Sequence, residues 1–202
     1  MIIGFDFDNT IINYTKSFTK LAKLKNLVPE KINKDKISIR NYLRKNDLES
    51  EWTILQGEVY GKNIMSAEIY QGVINTFLYL SKKKVKIKII SHKTKFPYLG
   101  EKINLRISAL KWIKKNIIGY SHDIKFDLSD IYFENTIESK IKKIKELNCN
   151  IFVDDLPEVL SLLPASIERV LFSSNSKKEK FSKFHLMSSW EEFPSIISKK
   201  NG

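Results

Sequence analysis

Residues 1–10 read MIIGFDFDNT, in which a short apolar run is followed at once by two carboxylates, Asp6 and Asp8. An apolar run of this length is typical of a strand buried on both faces of a parallel sheet. Two like charges so close together repel each other, and a carboxylate beside a buried strand is costly unless a cation neutralises it. The alternative is an ordinary polar turn. What decides between the two is whether the rest of the chain supplies the cation and further polar partners.

The composition is that of a globular chain. Its 202 residues are 42% hydrophobic, which suits one full domain or one core with a modest insertion. No apolar stretch approaches the roughly 18 to 20 residues that a membrane span requires, and the first apolar run is too short for a signal peptide. Cys149 is the only cysteine, which excludes an intrachain disulfide and a zinc site built from several cysteines. We therefore expect a soluble, cytoplasmic protein with no membrane partner.

The chain is strongly basic, with a formal net charge of +12, but the excess is almost entirely lysine. Arginine, whose planar guanidinium suits paired contacts with phosphates and bases, occurs only at Arg40, Arg44, Arg106 and Arg169. The lysines are spread along the whole chain rather than clustered. A nucleic-acid partner is therefore not expected, although a diffuse positive field would attract a small anionic substrate.

Short apolar runs predict strands, and helical segments separate them. The predicted strands cover residues 2–6, 85–90, 130–133, 151–153 and 169–172, and helices are predicted over 15–26, 34–45, 49–60, 66–83, 103–116 and 140–147. Nothing between residues 13 and 83 is typical of a strand. The alternation predicts an α/β fold, a doubly wound parallel sheet, in which this long helical stretch is either an elaborate crossover or an inserted cap.

Polar side chains follow three of the predicted strands, at the sheet edge where open parallel sheets bind ligands. They are Asp6 and Asp8, then Ser91, then Asp154 and Asp155. If these strands are neighbours, four carboxylates converge, and such a cluster requires a cation. A hard divalent ion, Mg²⁺ above all, suits carboxylates together with a phosphate oxygen. Lys140, at the start of a predicted helix, is the candidate for balancing the charge of a phosphoryl group.

These residues together resemble the motifs of the haloacid dehalogenase (HAD) superfamily of phosphohydrolases. The first motif of that family, an apolar strand followed by Asp-x-Asp-x-Thr, is matched by residues 6–10. Ser91 matches the second motif, a strand that ends in serine or threonine, and Lys140 is chosen for the third, a basic residue. Asp154 and Asp155 match the fourth, an apolar strand that ends in an acidic pair. The matches occur in the family's order.

Two positions depart from the family pattern. Asn9 stands where the family most often has glycine, but asparagine tolerates the left-handed backbone conformation better than most residues, so a tight turn stays possible. Leu156, Pro157 and Glu158 follow the acidic pair where many members have a further aspartate. Which of Asp154, Asp155 and Glu158 would contact a metal ion directly is left open by the motif.

The resemblance implies a Rossmann-like catalytic core, residues 1–13 and 84–202, with a small helical cap, residues 14–83, inserted after the first strand. Asp6 would attack phosphorus and form an aspartyl-phosphate, and Asp8 would protonate the leaving oxygen and then deprotonate the hydrolytic water. Thr10, Ser91 and Lys140 would bind the phosphoryl group. Mg²⁺ would be held by Asp6, Asp8, Asp154 and Asp155, and the family uses the backbone carbonyl of the residue that Asp8 matches.

The prediction is a magnesium-dependent phosphatase that hydrolyses a small phosphorylated metabolite, such as a sugar phosphate or a nucleotide monophosphate. A phosphomutase begins with the same aspartyl-phosphate and stays an alternative, as does a polynucleotide end phosphatase, which only the basic charge favours. A non-catalytic binding module is the alternative of another class. His92, Lys93 and Lys95 follow Ser91 and are either substrate contacts or ordinary polar residues of a loop. Gln56, Tyr60 and Gly61, in the helical segment, are weaker candidates for a specificity loop. No oligomeric state is predicted.

Overall fold

The structure, a computed structural model, describes residues 1–173 and 183–198. In chain order its elements are β1 Ile2–Phe5, β2 Ile12–Asn13, α1 Thr15–Leu24, α2 Lys36–Lys45, α3 Glu49–Tyr60, β3 Glu68–Ile69, α4 Val73–Lys82, β4 Lys86–His92, α5 Leu105–Ile113, β5 Ile131–Glu134, α6 Ile137–Glu146, β6 Ile151–Asp154, α7 Pro157–Ser161, β7 Glu168–Phe172, β8 His185–Met187 and α8 Phe193–Ser198. Within those two ranges, none of the helices combines the length and the apolarity needed to cross a bilayer.

Six of the strands form one parallel sheet in the order β5-β4-β1-β6-β7-β8. The sheet is covered on both faces. Ile89 and Val153 belong to one buried apolar cluster, and Ile90 and Phe152, whose side chains point the other way, belong to a second. Strands buried on both faces explain the nearly continuous apolar runs in the sequence. The predicted doubly wound, Rossmann-like α/β fold is confirmed.

A small two-stranded sheet lies at the two ends of an inserted segment. β2, Ile12–Asn13, pairs antiparallel with β3, Glu68–Ile69, and the helices α1, α2 and α3 lie between them in sequence. The two ends of the inserted segment therefore lie side by side. The prediction that residues 13–83 contain no strand was wrong, because a strand of two residues is too short to show an alternating pattern.

α4 begins later than the sequence predicts. The expected helix over residues 66–83 starts only at Val73, because Gly72 has a φ of 89°, a left-handed conformation that glycine adopts without steric cost and that ends the extended segment before it. The helix then packs on the sheet, with the ring centroid of Phe77 5.3 Å from that of Phe5 in β1.

Candidate active site

Four buried side chains meet at the carboxyl end of the central strand. Asp6 follows β1, Ser91 lies in β4, Asp154 ends β6, and Lys140 comes from α6. They are close together because β1 lies between β4 and β6 in the sheet. Ser91 Oγ donates a hydrogen bond to Asp6 Oδ1 over 2.9 Å, and Lys140 Nζ donates to Asp6 Oδ1 and to Asp154 Oδ2, each over 2.6 Å. The structure thus brings together predicted site residues from every motif.

The start of α6 places Lys140 in this group. Thr136 caps the helix, its hydroxyl accepting a hydrogen bond from the backbone N–H of Ser139 over 3.1 Å, so Lys140 falls in the first turns and points toward the sheet edge. Its side chain is 2% exposed. Burial alone would lower the pKa of Lys140, but the charges of Asp6 and Asp154 outweigh this effect and raise the pKa above its ordinary value.

The two carboxylate oxygens of Asp6 have different surroundings. Both of the side-chain hydrogen bonds go to Oδ1, and no donor among residues 1–173 and 183–198 bonds to Oδ2. The backbone N–H of Asp6 donates to the carbonyl of Val153 over 2.8 Å, which ties the residue to β6. Asp6 is therefore held through its backbone N–H and Oδ1, while the lone pairs of Oδ2 accept no hydrogen bond from the described residues.

Three carboxylates form a cluster that suits a hard cation. One oxygen from each of Asp6, Asp154 and Asp155 lies within 4.8 Å of the others. Burial raises the pKa of Asp154 to about 7 despite the charge of Lys140, and burial and the like charges of the other two carboxylates raise the pKa of Asp155. The protein alone therefore stabilises these charges poorly. The donor set, all carboxylate oxygen, fits Mg²⁺.

The Asp8 carboxylate lies outside this cluster. It accepts a hydrogen bond from the Tyr14 hydroxyl over 2.6 Å, and Lys93 Nζ lies 3.0 Å from one of its oxygens and 2.7 Å from the other. The turn that follows is made by Asn9, which has a φ of 59°, and the backbone N–H of Asn9 donates to the carbonyl of Ile12. The Asp8 side chain, predicted as a metal ligand, is thus not part of the carboxylate cluster, and Tyr14 and Lys93 hold its oxygens.

Thr10 makes no side-chain hydrogen bond with the group around Asp6. Its backbone carbonyl accepts a hydrogen bond from Trp190 Nε1 over 3.0 Å. Its hydroxyl is buried and has no hydrogen-bond partner in the described part of the chain. A buried hydroxyl without a partner is costly, so this oxygen is available to a ligand rather than committed to the fold.

A cavity of about 250 Å³ lies between α3 and the loop after β4. Asp8 and Lys93 line it on one side, and Gln56, Gly57 and Tyr60 line it on the other. Of the candidate substrate contacts, His92, Lys93, Gln56 and Tyr60 thus line the same cavity as Asp8. Lys95 and Gly61 do not line it.

Sequence reasoning did not single out Tyr14, which bonds to Asp8, or Lys36, which lines a second cavity. Nothing in the sequence distinguishes either residue. Tyr14 lies outside the four motifs, and Lys36 is one of many lysines.

Solved structures of HAD-superfamily proteins share this fold. A HAD-superfamily hydrolase from Ehrlichia chaffeensis is 14% identical, with a TM-score of 0.55, over 100% of this chain and 97% of that one. A predicted phosphoglycolate phosphatase from Haemophilus somnus is 13% identical, with a TM-score of 0.60, over 97% of both chains. A mutant of CbbY from Rhodobacter sphaeroides, in complex with xylulose-(1,5)bisphosphate, is 11% identical, with a TM-score of 0.53, over 95% of both chains.

The chain therefore has the fold of HAD-superfamily hydrolases, and the resemblance inferred from the sequence motifs is confirmed at the level of the fold. No family model and no curated protein matches the sequence. Identities of 11% to 14% establish the fold alone, so the chemistry of the site has to follow from its own residues.

Proposed function

We propose that this protein is a phosphoric monoester hydrolase that acts on a small phosphorylated metabolite through an aspartyl-phosphate on Asp6. The observation that carries the proposal is the asymmetry of the Asp6 carboxylate. One oxygen is fixed by Ser91 and Lys140, and the other has no donor among the described residues and can act as a nucleophile. The likeness in fold to a hydrolase and to a predicted phosphoglycolate phosphatase supports the same class of reaction.

Two displacements at phosphorus make up the proposed reaction. Asp6 Oδ2 attacks phosphorus, the bond from phosphorus to the ester oxygen breaks, and a protonated Asp8 passes its proton to that leaving oxygen. Water then attacks the aspartyl-phosphate, Asp8 takes a proton from the water, and phosphate leaves as Asp6 is regenerated. Asp8 suits the proton transfers because its carboxylate lines the cavity beside the site rather than the carboxylate cluster.

Lys140, Ser91 and Thr10 would bind the phosphoryl group. Lys140 donates a hydrogen bond to Asp6 Oδ1, and its positive charge would stabilise the negative charge of the transferring phosphoryl group. Ser91 Oγ holds the same oxygen, and the unpartnered hydroxyl of Thr10 supports its assignment as a phosphate contact. These roles come from the family resemblance and stay predictions.

The proposed cofactor is Mg²⁺, held by Asp6, Asp154 and Asp155, with the backbone carbonyl of Asp8 as a further ligand by resemblance. The three carboxylates fit it, since their oxygens lie within 4.8 Å of one another and burial raises the pKa of Asp154 and Asp155. When bound, the ion would neutralise negative charge on the phosphoryl group and on the carboxylates.

We propose that the helices α1, α2 and α3 are a cap that closes over the site and limits the size of the substrate. The sequence assigned residues 14–83 to the cap. Since β2 and β3 pair at both ends of the insertion and α4 packs on the sheet, we propose the shorter range 14–67, with α4 in the core. A cavity of about 250 Å³ below α3 supports a small substrate. The cytoplasmic location and the lack of a nucleic-acid partner stay predictions.

Phosphate release from a panel of small phosphate monoesters tests the proposal. Wild-type protein should release phosphate with Mg²⁺ and not with EDTA, and Asp6→Asn should lower the rate by roughly 10³-fold or more, because it removes the nucleophile. Asp123→Asn, which changes an exposed aspartate that lines neither the cavity beside Asp8 nor the carboxylate cluster, is the matched control and should keep the wild-type rate. Equal rates in wild type and Asp6→Asn would contradict the proposal.

A further inference from the structure

A second cavity, which Lys93 does not line, borders the carboxylate cluster. It has a volume of about 380 Å³, and its lining includes Asp155 and Asn9 from the sheet edge. Lys36 and Arg40 of α2 line the same cavity from the side of the inserted helices. Because Asp155 belongs both to this cavity and to the carboxylate cluster, the cavity lies next to the place where the scissile phosphate would bind.

Lys36 and Arg40 are four residues apart, so they lie on one face of α2, one helical turn from each other. Lys36 Nζ is 5.6 Å from the ring centroid of Phe18 and 5.6 Å from that of Tyr60, which places the ammonium against these rings rather than out in solvent. Neither Lys36 nor Arg40 has a carboxylate within 4.0 Å in residues 1–173 and 183–198. Lys93 and Lys140, by contrast, are both paired.

The carboxylates near the two cations are committed elsewhere. Asp35 caps α2, with its oxygens accepting hydrogen bonds from the backbone N–H and the hydroxyl of Ser38 over 2.7 and 2.6 Å. Asp155 belongs to the carboxylate cluster. No carboxylate of the described residues pairs directly with the half-buried ammonium of Lys36, so its N–H donors can bond to an anionic ligand. Burial lowers the pKa of Lys36, but Tyr60 and the carboxylates of Asp8 and Asp155 outweigh it, so the lysine stays charged.

From this arrangement we propose that Lys36 and Arg40 bind a second anionic group of the substrate. The substrate class is then a small phosphate monoester that carries a carboxylate or a further phosphate at its other end. The inference rests on the proposed phosphatase function and adds to it the chemistry of the leaving group. Lys36, from the inserted helices, would select for the charge of that group while Asp6 and Lys140 act on the scissile phosphate.

The test compares kcat/KM for two series of phosphate esters with alkyl chains from ethyl to pentyl. In the first series the far end of the chain is a methyl group, and in the second it carries a second phosphate. Wild type should prefer a bisphosphate by roughly 10- to 100-fold in kcat/KM, the usual effect of one or two charge-assisted hydrogen bonds. Lys36→Met keeps an unbranched apolar side chain beside Phe18 and Tyr60, so it should fold. It should lose most of this preference, because kcat/KM should fall far more for the bisphosphates than for the monophosphates. Arg40→Gln should lose part of it.

Two further variants separate charge from structure. Lys36→Arg keeps a cation at the position and should retain much of the preference, whereas Lys45→Met removes an exposed lysine from the same helix and should leave the preference unchanged. The inference is overturned if wild type shows no preference for any bisphosphate, or if Lys36→Met lowers kcat/KM equally for both series, since the lysine would then contact the scissile phosphate.

Calorimetry with the Asp6→Asn protein measures how tightly the monophosphates and bisphosphates bind when they are not hydrolysed. It therefore tests the anion site independently of the reaction. If wild type hydrolyses none of the esters, the proposed function fails. The anion site is still supported if the bisphosphate binds roughly tenfold or more tightly than the alkyl monophosphate and Lys36→Met abolishes the difference. Equal binding of the two ligands would overturn the inference whatever the activity.

Discussion

Lys140 is the residue on which the proposed site depends most. It is buried, and its single ammonium group lies 2.6 Å from both Asp6 and Asp154. Without it, two buried carboxylates would face each other with no cation from the protein between them. The main cost of breaking such an ion pair is the buried, unpaired charge that remains, which exceeds the net attraction between the two partners.

We expect Lys140→Met to lower the free energy of unfolding by about 3 to 5 kcal/mol, the usual cost of removing one partner of a buried ion pair. Phosphatase activity should be lost with it. Chemical denaturation in EDTA measures the stability, since a bound metal ion would mask part of the effect. Lys142→Met, at an exposed position of the same helix, is the control and should stay within about 0.5 kcal/mol of wild type. Equal stability of the two variants would show that Lys140 is not the buried counter-ion.

Lys93 and Tyr14 hold the Asp8 carboxylate in place, and their effect should appear in the proton transfer. With Lys93→Met we expect kcat to fall roughly 10- to 100-fold for an alkyl phosphate, whose leaving oxygen needs the proton, and much less for an aryl phosphate with an acidic leaving group. Steady-state kinetics on the two esters measure the difference. The exposed neighbour Lys95 supplies the control, Lys95→Met. If Lys93→Met slowed both esters equally, Lys93 would not act through Asp8.

Some of these residues could be predicted from sequence and others could not. Asp6, Ser91 and Asp154 follow apolar strands, so the rule that parallel sheets bind ligands at their carboxyl ends predicts their meeting. Lys36 and Tyr14 reach the site only through the packing of the inserted helices. A lysine in a chain with 35 basic residues carries no signal of its own, and its lack of a paired carboxylate is visible only in three dimensions.

At the level of elements, five of the six strands of the sheet agree with the sequence to within one or two residues, because a strand buried on both faces is a continuous apolar run. The sixth strand, β8, was not predicted, because its three residues are too few to show a pattern. The predicted helix at 49–60 agrees with α3. The short strands β2 and β3 could not be predicted, since they are stabilised by pairing with each other across the whole insertion. The late start of α4 depends on the backbone of Gly72.

α3 approaches the loop after β4 most closely at Gly57. A Cβ atom at this position would lie 2.7 Å from Pro97 Cβ, too close for real atoms. In a helix interior alanine is ordinarily favoured over glycine by about 0.5 to 1 kcal/mol. We expect Gly57→Ala to destabilise the protein instead, by about 1 to 3 kcal/mol through overpacking, and to raise KM because both residues line the cavity beside Asp8.

Chemical denaturation and steady-state kinetics measure both effects. Pro97→Gly removes the opposing Cβ, so the double variant should lose less than the sum of the two single changes. If Gly57→Ala were more stable than wild type and had an unchanged KM, α3 and this loop would not be closely packed at Gly57.

For the molecule as a whole, the inserted helices and the sheet share one apolar core. Phe18 and Trp52 from the insertion belong to the same buried cluster as Phe5 and Ile89 from the sheet. Cys149 lies in the second cluster, on the other face of the sheet, and is 4% exposed. Its thiol can therefore report on unfolding of the sheet.

Burial raises the pKa of Cys149 from 9.0 to about 11. The unfolded thiol ionises near pH 9 while the folded one stays neutral, so this contribution to stability is complete below pH 9 and is lost as the pH rises toward 11. We expect the free energy of unfolding of wild type, relative to that of Cys149→Ala, to fall by up to about 2 kcal/mol over this window. Denaturation of both proteins across the window measures it. Parallel curves would show that the thiol is not shielded.

As the proposed nucleophile, Asp6 should be phosphorylated during turnover, and acid quenching followed by mass spectrometry would detect the phosphoryl group. After mixing with Mg²⁺ and a good substrate from the ester panel, wild type should carry a phosphoryl group on the peptide that contains Asp6, and Asp6→Asn should carry none. Turnover with the phosphoryl group on a different residue, or turnover of Asp6→Asn at the wild-type rate, would show that Asp6 is not the nucleophile.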